Sequence, residues 1–99
     1  MSVEEIIDNK ERLINLYKDK VDELAKATED YKRVQAKLWI DTNFAEVLDK
    51  SRPTVDEKKA YVTLQSLEER VIKDNLANET KYIEMLIDLT DDKLVYHNE

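Results

Sequence analysis

The 99-residue chain is 41% hydrophobic and 39% charged, has no glycine, no cysteine and one proline, and carries a formal charge of −7. That length allows one small domain. The missing residue types exclude phosphate-cradling glycine loops, nucleophile elbows, disulfides, thiolate metal sites and thiol catalysis, and so little punctuation leaves long helices as the expected content.

A first helix is predicted over about 3–40. Ser2-Val3-Glu4-Glu5 reads as a capping box, with the serine oxygen taking an orphan N–H and Glu5 reaching back. The acidic first turn also suits the helix dipole. Spacings of three and four then link Val3, Ile7, Lys10, Ile14, Tyr17, Val21, Leu24, Thr28, Tyr31, Gln35 and Leu38. That 3.5-residue period is the pattern of a helix packed along a left-handed seam. Ile6, Leu13 and Leu16 widen the apolar face. Such a helix would be roughly 55 Å long at about 1.5 Å per residue.

The pattern breaks at Trp39-Ile40-Asp41-Thr42-Asn43-Phe44. Thr42 or Asn43 is placed to cap a short helix over about 43–49, with Glu46 positioned for a second box. Residues 50–54, Lys-Ser-Arg-Pro-Thr, form the loop, because Pro53 keeps Arg52 out of helical geometry. Thr54-Val55-Asp56-Glu57 is a third box and opens a second long helix over about 55–89, with an extension to 96 left open. Its apolar set is Tyr61, Leu64, Leu67, Val71, Ile72, Leu76, Tyr82, Ile83, Leu86 and Leu89. Nothing between 54 and 89 obliges it to stop. Pairs such as Asp8–Arg12, Asp22–Lys26, Glu29–Arg33 and Glu69–Lys73 support helix at i, i+4 spacing.

The expected fold is therefore all-α: one domain over 1–99, an antiparallel long-helix hairpin with a short helical corner. A lone hairpin has a thin core at this size. Apolar residues on more than one stripe call for another partner, so self-association into a helical bundle is expected, with a dimer favoured. A heterodimer with a different protein would satisfy the same surface.

The charge is unevenly placed. Residues 12–83 carry equal numbers of basic and acidic side chains, while residues 1–11 hold Glu4, Glu5, Asp8 and Glu11 against Lys10, and residues 84–99 hold Glu84, Asp88, Asp91, Asp92 and Glu99 against Lys93. In a hairpin both excesses meet at one pole. The acidic balance argues against direct binding of nucleic acid or anionic membranes. Met1–Lys10 has no leader-like apolar segment, and Tyr82–Leu89 is interrupted by Glu84 and Asp88, so a cytoplasmic protein without a membrane span is expected.

No constellation supports catalysis, and a non-enzymatic protein without cofactor or metal is expected. His97 is the only histidine and sits near the end of the chain. Glu84, Asp88, Asp91 and Asp92 have a spacing open to a hard cation, but a solvated acidic face explains them more simply. Lys50, Arg52, Lys58 and Lys59 lie near the Thr54 helix start, where a phosphate would fit, yet Asp49, Asp56 and Glu57 interleave with them. Tyr17, Tyr31 and Tyr61 follow the apolar period and read as core. Trp39 and Phe44 bracket the corner, as a plug or as anchors for a partner.

Leu38-Trp39-Ile40-Asp41-Thr42-Asn43-Phe44, followed by Arg52-Pro53-Thr54-Val55-Asp56-Glu57-Lys58-Lys59-Ala60-Tyr61-Val62, resembles a segment of small helical early-region proteins of bacteriophages and prophages of Gram-positive bacteria. The resemblance covers 38–62 and implies a source and a helical fold, and no activity. It places the chain in a bacterial host cell, where a host or phage protein would be that different partner. The expected function is then a helical protein–protein interaction or scaffold protein, a phage accessory. The alternative is an acidic inhibitor of a host nucleic-acid enzyme or defence system, with Glu4, Glu5, Asp8, Asp88, Asp91 and Asp92 imitating DNA phosphates.

Overall fold

A computed structural model describes residues 2–98. Four helices follow in order: α1 (Val3–Asp41), α2 (Phe44–Val47), α3 (Val55–Gln65) and α4 (Leu67–Asn98). No strand occurs among the described residues, and the fold class is an all-α helical hairpin. Its contacts divide into two compact units, Met1–Ala25 with Asn75–Glu99 (unit 1) and Lys26–Asp74 (unit 2).

The helix starts follow from their caps. Ser2 Oγ accepts from the Glu5 N–H at 3.2 Å. Asn43 Oδ1 accepts from the Glu46 N–H at 3.3 Å and opens α2. Thr54 forms a complete box: its Oγ1 accepts from the Glu57 N–H at 3.1 Å, and Glu57 Oε1 accepts from the Thr54 N–H at 3.3 Å. Each cap satisfies an N–H group that a helix start leaves without an intrahelical partner, and the reciprocal bond that completes a box is present at Thr54.

α2 ends without a glycine. Lys50 N–H donates to the Ala45 carbonyl at 3.0 Å and Asp49 N–H to the Glu46 carbonyl at 3.2 Å, the bond pair of a Schellman ending. The motif needs a left-handed residue between them, and Asp49 takes that role at φ 50°. Aspartate tolerates this region better than most residues because its short polar side chain bonds locally.

In unit 1 the first part of α1 runs antiparallel to the last part of α4. Lys10 pairs with Asp91, Tyr17 with Glu84 and Lys20 with Glu79, so residue numbers rise on one helix as they fall on the other. The seam agrees with the sequence expectation in part. Lys10, Ile14, Tyr17 and Leu24 lie inward as expected and are joined by Ile6, Leu13 and Lys20, whereas Val3, Ile7 and Val21 are 38%, 42% and 38% exposed. The buried face is thus turned only part-way from the one apolar counting selects, by about half a residue's 100° step. The facing helix supplies carboxylates, so the lysine stems lie along the seam while their ammonium groups reach oxygen.

On α4 the inward set of unit 1 is Leu76, Thr80, Ile83, Ile87, Thr90 and Leu94, spaced four and three throughout. Two of these are threonines, and both are buried because each hydroxyl donates to the carbonyl four residues back: Thr80 Oγ1 to Leu76 and Thr90 Oγ1 to Leu86, each at 2.8 Å. A buried hydroxyl with a partner behaves as a small core residue.

Unit 2 contains the rest of α1, all of α2 and α3, and the first turns of α4. The second long helix is not continuous, as the sequence led us to expect, but is interrupted at Ser66. Ser66 is fully buried and its Oγ donates to the Val62 carbonyl at 2.7 Å. Back-bonding of this kind bends helices. The ladder resumes at once, with the Arg70 N–H on the Ser66 carbonyl at 3.1 Å. α4 then reaches Asn98, so the extension past 89 that the sequence leaves open is helical.

Candidate interaction surface

The acidic candidates Glu4, Glu5, Asp8, Asp88, Asp91 and Asp92 all belong to unit 1. The segments of unit 1 carry the whole formal charge of −7, and those of unit 2 are neutral. The six carboxylates are not equivalent. Asp91 is half-buried and ion-paired with Lys10, while the other five are exposed. No group of three or more His, Asp or Glu able to hold a metal ion occurs among the described residues. His97 falls in the last turn of α4, and its side chain lies outside the described set.

Three groups of unit 1 and the corner have shifted acidities. The Tyr17 phenol donates to Glu84 Oε1 at 2.8 Å, which raises its pKa above the ordinary tyrosine value. Lys20 Nζ lies 2.9 Å from Glu79 Oε2 and 3.4 Å from Glu23 Oε2, and the bond to Glu79 is the main reason its pKa is raised. Glu57 is held below the ordinary carboxylate range by Lys50 Nζ at 2.7 Å and then by the Thr54 N–H. All three are structural pairings between oppositely charged or hydrogen-bonded groups at the surface. None has the desolvated, isolated character of a catalytic acid or base.

The corner aromatics separate into two roles. Phe44 is buried, with its ring centroid 5.5 Å from Trp39 and 6.0 Å from Tyr61 in an edge contact, and Lys58 Nζ 5.6 Å from its centroid. It is an interior plug of unit 2, so its ring is not presented to a partner. Trp39 is 41% exposed and, with Gln35, Ala36, Lys59, Val62 and Thr63, lines an open groove of about 470 Å³. The basic residues do not gather into a phosphate site. Lys50 is bound to Glu57, Lys58 lies over Phe44, and Lys59 is at the groove.

The most exposed apolar run was not recognised from the sequence. Tyr82, Met85, Leu89 and Tyr96 are 61%, 62%, 54% and 77% exposed and are spaced three, four and seven along α4. The sequence reading lists Tyr82 and Leu89 in the apolar set of the second helix without assigning them a face, and omits Met85. The signal is present in retrospect: Ile83, Ile87 and Leu94 form one apolar stripe on α4 and these four residues form a second. Two stripes on one helix require two partners, and α1 supplies only one. The α1 residues Val3, Ile7 and Val21 remain as a weaker exposed set.

These features define a helical hairpin with an unpartnered apolar stripe and an acidic unit. No protein-family model, no curated protein and no solved structure matches the chain. Among the described residues, no helix is long and apolar enough to cross a membrane.

Proposed function

We propose that this chain is a non-enzymatic helical interaction protein that acts by docking the outer stripe of α4 against another helical surface, as a scaffold or accessory of the phage type that segment 38–62 resembles. The observation that carries this reading is the exposure of Tyr82, Met85, Leu89 and Tyr96 at heptad spacing. Tyrosine and methionine are enriched in interface centres, and an apolar run of this kind is costly to leave in water.

Met85→Glu tests the reading. Met85 is well exposed, so the protomer's helicity should be unchanged while association with itself or a partner is lost. Unchanged association would count decisively against the stripe.

The concentration of all net charge in unit 1 supports a second reading, an acidic inhibitor that occupies the basic groove of a nucleic-acid enzyme. Reversing Glu4, Glu5 and Asp8 would abolish such binding and leave the α4 stripe intact. An inhibitor that still binds after that change does not work by charge imitation.

A further inference from the structure

We infer that the occupant of the α4 stripe is a second copy of this chain, packed antiparallel across a two-fold axis near residues 84–85. The inference rests on the interaction reading above and adds a partner and a geometry to it. Its basis is the charge beside the stripe. Lys81 and Asp88 immediately precede Tyr82 and Leu89, so both lie on the same flank, seven residues apart. Both are exposed, and neither has an ion pair within the protomer among the described residues. In antiparallel helices the same flank of each copy meets its counterpart, and positions equidistant from the axis lie level. Lys81 of each copy therefore faces Asp88 of the other, twice, by symmetry. Met85 of both copies meets at the axis, where a flexible methionine adapts to its symmetry mate, and Tyr82 of each copy packs beside it. A self-complementary flank of this kind is not required of a surface meant for an unrelated partner. In a parallel pairing Lys81 and Asp88 do not meet.

The test is a charge-swap complementation, read by light scattering, with far-UV circular dichroism confirming equal helicity in every variant. Lys81→Glu alone and Asp88→Lys alone each set like charges across the axis, so each purified variant should dissociate at least several-fold more readily than wild type. Mixing the two variants should restore the dimer, because Glu at 81 and Asp88 on one chain then face Lys at 88 and Lys81 on the other. Wild-type dimer, weakened single variants and recovery on mixing support the inference. A wild-type dimer that neither variant weakens, or that mixing fails to restore, overturns the antiparallel geometry and leaves the broader interaction reading to the Met85→Glu test. A wild-type monomer overturns the second copy as occupant, and that broader reading then stands or falls on whether Met85→Glu abolishes binding to another protein.

Discussion

Tyr17 and Glu84 stand 67 residues apart in the chain and are joined by a 2.8 Å hydrogen bond, with the phenol donating to the carboxylate. With Lys10–Asp91 and Lys20–Glu79 it fixes the register of α1 against α4 in unit 1. The bond is exposed, so it contributes little in net energy. Its value is directional, since a slip of one residue would separate all three pairs together.

Stability should fall at both extremes of pH for reasons that can be assigned. The folded pKa values of Tyr17 and Lys20 are raised, so their stabilisation is complete below the ordinary values near ~10 and is lost as pH rises through the folded values. The folded pKa of Glu57 is lowered, so its contribution is present above the ordinary carboxylate value and is lost as pH falls through the folded one. Thermal melts of wild type and Tyr17→Phe should differ at neutral pH and converge in the alkaline range. A difference that persists there would contradict the assignment.

The rotated seam makes a sharp prediction for adjacent isoleucines. Ile6 is buried and Ile7 is exposed. Ile6→Ala should cost about 2–4 kcal/mol, and Ile7→Ala less than about 1 kcal/mol. Urea titrations give both values directly. Equal losses would return the seam to the face that apolar counting selects.

The ending of α2 predicts an asymmetry at Asp49. Because φ is positive there, Asp49→Val should destabilise by about 1–2 kcal/mol, while Asp49→Gly should be at least as stable as wild type. The same titrations decide it, and a tolerated valine would mean that the left-handed turn is not needed.

Ser66 is fully buried at the break between α3 and α4. Ser66→Leu should overpack unit 2 and cost about 1–3 kcal/mol. Ser66→Ala keeps the Val62 carbonyl bonded through the Ser66 backbone N–H at 3.0 Å and should change stability by less than about 1 kcal/mol. A large loss on Ser66→Ala would show that the hydroxyl itself holds the bend.

The helices and their starts were legible because they depend on local chemistry: Ser2, Asn43 and Thr54 cap where their spacing to a following glutamate says they should. The seam was legible only in part: Lys10, Tyr17 and Leu24 follow the period, but hydropathy ranks Ile7 and Val21 above Lys20. Only the carboxylates on the opposite helix make the lysine face the better one. Ser66, Thr80 and Thr90 read as polar and are buried, since a hydroxyl bonded to the carbonyl four residues back has already met its demand. The apolar surplus on α4 was visible in sequence. Which of its two stripes faces inward depends on tertiary packing, and so Met85 went unnoticed.

Salt separates the two functional readings. Two copies of a chain with charge −7 repel, so self-association should tighten as ionic strength rises from low to physiological values. Binding of an acidic inhibitor to a basic groove should weaken over the same range. Sedimentation velocity at a series of salt concentrations reads the sign of the first effect.

The most direct measurement is the solution mass of wild type and Met85→Glu by sedimentation equilibrium at micromolar concentration and physiological salt. The expected result is a dimer for wild type and a monomer of unchanged helicity for Met85→Glu. A wild-type protein that stays monomeric, or a Met85→Glu protein as dimeric as wild type, would contradict self-association through the outer stripe of α4.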